Sequence, residues 1–126
     1  MKFSCDCNFV VRDQRNRLPY KATYLSDKAG ERVGDWLLSE LDSYVAAVRS
    51  GAIREWLEQR GLGDEFWLGQ TDGVRINDLI LSKAEAQSRT AYECEACGRL
   101  WLEDEHQRQF SYRPANDEPN NPFDWD

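Results

Sequence analysis

The sequence predicts an α+β fold: an antiparallel β-sheet formed by both chain ends, with a two- to three-helix insertion between them. Three observations carry that expectation. The four cysteines fall into two tight pairs, Cys5-Asp6-Cys7 near the start and Cys94-Glu95-Ala96-Cys97 late in the chain. Short runs of aromatic and β-branched residues flank both pairs, as strands require. Between them, apolar residues recur at three- and four-residue steps, the period of a helix with one buried face. A chain of 126 residues, 40% apolar and with five tryptophans, is long enough to bury a real core. The expected layout is one domain over residues 1–113, with the helical insertion at about 31–88 and an acidic flexible tail over 114–126.

Lys2 to Arg12 reads as a hairpin, with Lys2-Phe3-Ser4 entering and Phe9-Val10-Val11 leaving. Asn8 closes its turn, where the left-handed backbone favours Asn. A polar loop over residues 13–17 leads past Pro19 to a strand in Tyr20–Leu25. From Glu31 the stripe of Val33, Leu37, Leu41, Tyr44, Val45 and Val48 predicts a helix, which Gly51 kinks or breaks. Phe66-Trp67-Leu68 reads as an apolar plug inside a loop. A further helix is expected after Thr71 or Asp72, either of which can cap it, running to about Ser88. Thr90–Glu93, Arg99–Leu102 and Gln109–Arg113 complete the β structure. Three prolines and four acids after residue 113 disfavour any regular element there.

Cysteines clustered in a reducing compartment more often bind metal than pair. Zn²⁺ takes four thiolates tetrahedrally, and a tight turn presents two of them from one corner. Gly98 permits the positive φ with which such a turn aims its amides at the sulfurs. Cys5, Cys7, Cys94 and Cys97, with no cysteine left over, are therefore the expected ligands of a structural Zn²⁺. Joining the pairs closes a loop through most of the chain, at about 4 kcal/mol. Structural zinc supplies roughly 10–16 kcal/mol in peptide sites, which outweighs that closure. Two other readings stand beside it: free buried cysteines, or a redox disulfide at Cys94–Cys97. The disulfide lacks the βαβ context and helix start that activate a thiol.

Four thiolates close the shell that a catalytic zinc keeps open. The single histidine, His106, sits among Glu103-Asp104-Glu105 and reads as a solvated loop residue. There is no nucleophile elbow, no Gly-rich phosphate loop and no second histidine, so no catalytic residue and no organic cofactor is assigned. The formal charge of -7 disfavours a generic nucleic-acid binder. Yet residues 1–28 carry six basic and three acidic groups. Arg12, Arg15, Arg17 and Lys21 thus form a local basic loop, read either as a solvated turn or as a contact for an anionic partner. The closing Pro122-Phe123-Asp124-Trp125-Asp126 reads as disordered sequence, or as an acidic-aromatic motif that can fold back on that loop. No apolar run reaches membrane-spanning length, mean hydropathy is -0.76, and the first residues lack a signal peptide's apolar core. A cytoplasmic protein with no membrane contact is expected.

Cys94-Glu95-Ala96-Cys97-Gly98 with Cys5-Asp6-Cys7 resembles the zinc-ribbon proteins. The wider layout also looks like small uncharacterised bacterial proteins with a Cys-x-Cys start and a Tyr-Glu-Cys-x-x-Cys-Gly-Arg-Leu-Trp segment, here Tyr92–Trp101. The ribbon resemblance covers about thirty residues at the two ends and implies a zinc site, not an activity. One pair here is Cys-x-Cys, and a helical block separates the halves, which departs from the common ribbon. The expected role is a non-enzymatic adaptor or regulator that binds another protein. The alternatives are a nucleic-acid-binding ribbon using the basic loop over residues 12–21, an immunity-type protein that neutralises a basic toxin, and an enzyme with an unrecognised pocket.

Overall fold

A computed structural model describes residues 1–125. These form a mixed α+β chain, and their contacts divide it into two compact units. One unit joins Met1–Tyr24 to Ser88–Asp126, and the other is Leu25–Gln87. The helical insertion expected at about 31–88 therefore runs a turn earlier.

In the first unit, β1 (Lys2–Ser4) and β2 (Val10–Arg12) form an antiparallel hairpin with Phe3 opposite Val11. Four further strands make a separate antiparallel sheet in the order β3 (Lys21–Tyr24), β4 (Arg89–Glu93), β5 (Leu100–Glu103), β6 (Gln109–Tyr112). The two chain ends thus build two sheets, where the sequence suggested one. The reason is edge occupancy. β4 pairs with β3 on one side, Lys21 opposite Tyr92, and with β5 on the other, Tyr92 opposite Trp101. No edge of β4 remains for the hairpin. The hairpin instead packs by side chains, with Phe3 edge-on to Tyr92 at 5.4 Å and to Trp101 at 5.3 Å. Cys5, Val11, Tyr92 and Cys94 form the buried centre of this unit.

The second unit begins with α1 (Asp27–Ser50), capped by the Ser26 hydroxyl, which accepts from the Ala29 amide. This cap explains the start before Glu31: a Ser-Asp pair supplies both an acceptor and first-turn negative charge. Gly51 ends α1 in the left-handed region at φ 73°, so it breaks the helix cleanly. The stripe then resumes in α2 (Ile53–Glu58). Phe66-Trp67-Leu68, expected as a loop plug, lies in the single-turn α3 (Glu65–Leu68), whose N-cap is the Asp64 side chain. Thr71 caps the last helical run, as α4 (Asp72–Arg75) passes through a π-helical stretch (Ile76–Leu81) into α5 (Ser82–Glu85). Tyr44, Ala47, Trp56, Leu57 and Ile80 form the core. Full burial of Leu57 and Ile80 contributes roughly 1.5–3 kcal/mol each. Buried Arg75 ties α3 down, donating to the carbonyls of Trp67 at 2.9 Å and Leu68 at 2.7 Å. Among the described residues, no helix is long and apolar enough to cross a membrane.

Candidate metal centre

Both cysteine pairs sit on turns built the same way. In the hairpin, the Cys5 amide donates to the Phe9 carbonyl and the Asn8 amide to the Cys5 carbonyl, each at 2.8 Å. Between β4 and β5, the Cys94 amide donates to the Arg99 carbonyl at 2.9 Å and the Gly98 amide to the Cys94 carbonyl at 2.8 Å. The residue after the second cysteine is left-handed in both, Asn8 at φ 70° and Gly98 at φ 76°. Those are the residue types that tolerate it.

The two turns bring all four expected ligands together. The sulfurs of Cys5, Cys7, Cys94 and Cys97 lie within 4.8 Å of one another, a group that can hold a metal ion. Cys5 Sγ is 3.7 Å from Cys97 Sγ, and Cys7 Sγ is 3.6 Å from Cys94 Sγ. Cys5 and Cys94 are buried, Cys97 is half-buried and Cys7 faces solvent. All four are free thiols, with no disulfide at Cys94–Cys97.

Crowding sets their acidities apart. Burial pushes the Cys94 thiol up to about 12; the Cys97 and Ala96 amides work against this, while Cys7 and Cys5 add to it. Burial likewise raises Cys97. At Cys5 burial also acts upward, but hydrogen bonds from the Cys7 amide, the Trp101 indole and the neighbouring thiols win, leaving it at about 7. Of these three, Cys5 takes negative charge most readily. A cation bound among the sulfurs supplies the attraction that four crowded thiolates otherwise lack.

Several supports were not foreseen from sequence. The Trp101 indole N–H donates to Cys5 Sγ at 3.4 Å. Arg99 links the two turns through Asp6 at 2.9 Å and reaches Ser111 at 3.1 Å. Glu93, next to Cys94 and only 2% exposed, accepts from the backbone amides of Asn120 and Asn121 at 3.1–3.2 Å. The segment expected as an acidic tail thus crosses the second cysteine turn, with the Glu118 carbonyl against Gly98. The only local sequence signal was position: Trp101 and Glu93 flank the second pair.

Of the other residues singled out, His106 lies exposed in the β5–β6 turn, its amide bonded to Asp104 at 2.9 Å, and is not part of the sulfur cluster. Lys21 pairs with Asp13 at 2.6 Å. Arg15 and Arg17 border a groove of about 480 Å³ together with Phe123 and Trp125.

Fold and site together define an α+β protein whose two ends meet at a four-cysteine, metal-competent centre. The chain matches the family described as Domain of unknown function (DUF8617) over residues 1–117, and it belongs to that family. The match takes in all four cysteines, and the Asn120–Asn121 contact to Glu93 lies beyond it. No curated protein matches the chain. No solved structure matches it.

Proposed function

We propose that the chain is a non-enzymatic, cytoplasmic protein-binding module stapled by a structural zinc ion. A tetrahedral Zn²⁺ with Zn–S of about 2.3 Å needs sulfurs about 3.8 Å apart. The separations of 3.7 and 3.6 Å support that fit. A complete set of four thiolates leaves the ion no open position for substrate or water, which favours structure over catalysis. Tetrahedral sulfur also suits iron, so metal analysis of the purified protein decides: one zinc per chain is expected, and iron or no metal overturns the assignment.

The observation that carries the binding role lies on α1. Leu38 and Val45 stand two turns apart on one line, with Val48 beside them, and all three are exposed, Leu38 by 68%. Asp35 and Asp42 flank this line, and Arg49 closes its C-terminal end. An apolar stripe edged by carboxylates suits a partner whose own apolar patch is rimmed with Lys or Arg. The test compares wild type with the L38E/V45E variant in pull-downs from native lysate, with zinc content measured on both. The variant is expected to keep its zinc and helicity and to lose the partner. Identical partners on both proteins, or none on wild type, would overturn the reading.

A further inference from the structure

The basic loop and the closing segment meet at a groove that the metal centre and the α1 stripe leave unexplained. Its volume of about 480 Å³ lies within the range of small-ligand sites. Arg15, Asn16, Arg17 and Lys21 line one part, and Phe123 and Trp125 another. Lys21 is engaged by Asp13. Arg15 and Arg17 have no ion-pair or hydrogen-bond partner among the described residues, and Arg17 is held at a left-handed φ of 59°. Trp125 is 85% exposed, and its indole N–H is turned back to the Pro122 carbonyl at 2.8 Å. Its polar edge is thereby satisfied within the chain while its ring stays open to solvent. A large exposed ring beside two guanidiniums that no described residue engages selects a ligand with both a flat face and negative charge. A net charge of -7 and Asp124 between the two aromatic residues oppose a long polyanion. A small ligand with one phosphate meets less of that repulsion.

We propose that this groove binds a mononucleotide, with its phosphate between Arg15 and Arg17 and its base against the Trp125 ring. The site is independent of the α1 stripe and of the identity of the metal. Isothermal titration of the full-length protein with AMP, GMP, CMP and UMP tests it, alongside adenosine, inorganic phosphate and a single-stranded oligothymidylate. At least one nucleotide is expected to saturate the protein, more tightly than either phosphate or the nucleoside. The W125A and R15A/R17A variants are each expected to weaken that binding at least about tenfold, with metal content and melting temperature unchanged. Binding of phosphate as tight as any nucleotide and indifferent to W125A would reduce the groove to an anion site and overturn the proposal. Tighter binding of the oligonucleotide, with a steep salt dependence, would replace the nucleotide with a strand. Heat from none of the nucleotides would remove it.

Discussion

Trp101 serves the metal centre with both parts of its side chain. Its ring packs against Phe3, and its N–H reaches Cys5 Sγ. Such outer hydrogen bonds orient a ligand and stabilise its anion, and losing one typically costs 10–100-fold in metal affinity. W101F keeps an aromatic ring and removes the donor. Zinc affinity, read by competition with a chelator, is expected to fall about tenfold with little change in fold. Asp13 gives a second test at this scale. Burial acts to raise its carboxyl, but hydrogen bonds from Lys21 and Tyr92, the Lys21 charge and the N-terminus hold it below the ordinary carboxylate range. A depressed carboxyl stabilises the fold at pH values above its unfolded pKa of about 3.9. That contribution disappears as pH falls through the lower folded value. Below about pH 4, wild type should therefore lose its stability advantage over D13N, read as the difference in urea midpoint between the two. A constant difference down to the acid limit would contradict it. That the four cysteines come together was legible in the sequence, because two pairs with none left over leave few choices. Asp13 was not, since its partner Tyr92 stands 79 positions away.

At the scale of elements, two glycines with nearly the same φ separate backbone strain from packing. Gly51 at 73° and Gly98 at 76° are both left-handed. A Cβ on Gly51 would meet nothing within 4 Å, whereas one on Gly98 would lie 2.5 Å from the Glu118 carbonyl oxygen. G51A is therefore expected to cost only the backbone term, about 1 kcal/mol. G98A should cost that and more, because the Glu118–Asn121 segment must lift from the cysteine turn. Lifting it strips two amides from the buried Glu93 carboxylate, and charged hydrogen bonds contribute about 1.5–3 kcal/mol each. Thermal or urea denaturation of the two variants checks the order, and equal costs would show that the strap contributes nothing. A chain ending at residue 117 should reproduce the part of the G98A deficit beyond the backbone term and lose zinc faster to a chelator. Element type was readable wherever the period was local, as in α1 and the strands. Its limits were less so: the period predicted a start at Glu31, and the Ser26 cap moves it to Asp27. The strap was hard to read because Glu93, the carboxylate that holds it, looked, in sequence, like one acid among 23.

For the whole molecule, the metal centre and the helical core are built from different stretches of chain. All four sulfurs belong to the unit of Met1–Tyr24 and Ser88–Asp126, and the Tyr44–Trp56–Leu57–Ile80 core belongs to Leu25–Gln87. The helical period between two cysteine pairs conveyed the insertion, within a layout read as one domain. The sequence could not convey that the hairpin stays outside the four-stranded sheet, because which strand takes the free edge of β4 is a long-range choice. This separation predicts how the protein responds to metal removal. Without the ion, three residues per strand leave the hairpin a marginal element, and the ends lose the bonds that offset a closure cost of about 4 kcal/mol. The core around Leu57 and Ile80 contains no ligand. Chelation should therefore abolish amide hydrogen-exchange protection in residues 2–12 and weaken it in β4 and β5. Residues 27–58 should stay protected, and the helical far-ultraviolet signal should persist. Readdition of zinc should restore the hairpin and release protons, since burial keeps the Cys94 and Cys97 thiols protonated until a cation arrives. Loss of protection in α1 in step with the hairpin would mean instead that the metal governs one cooperative fold, and the two units would then unfold as one.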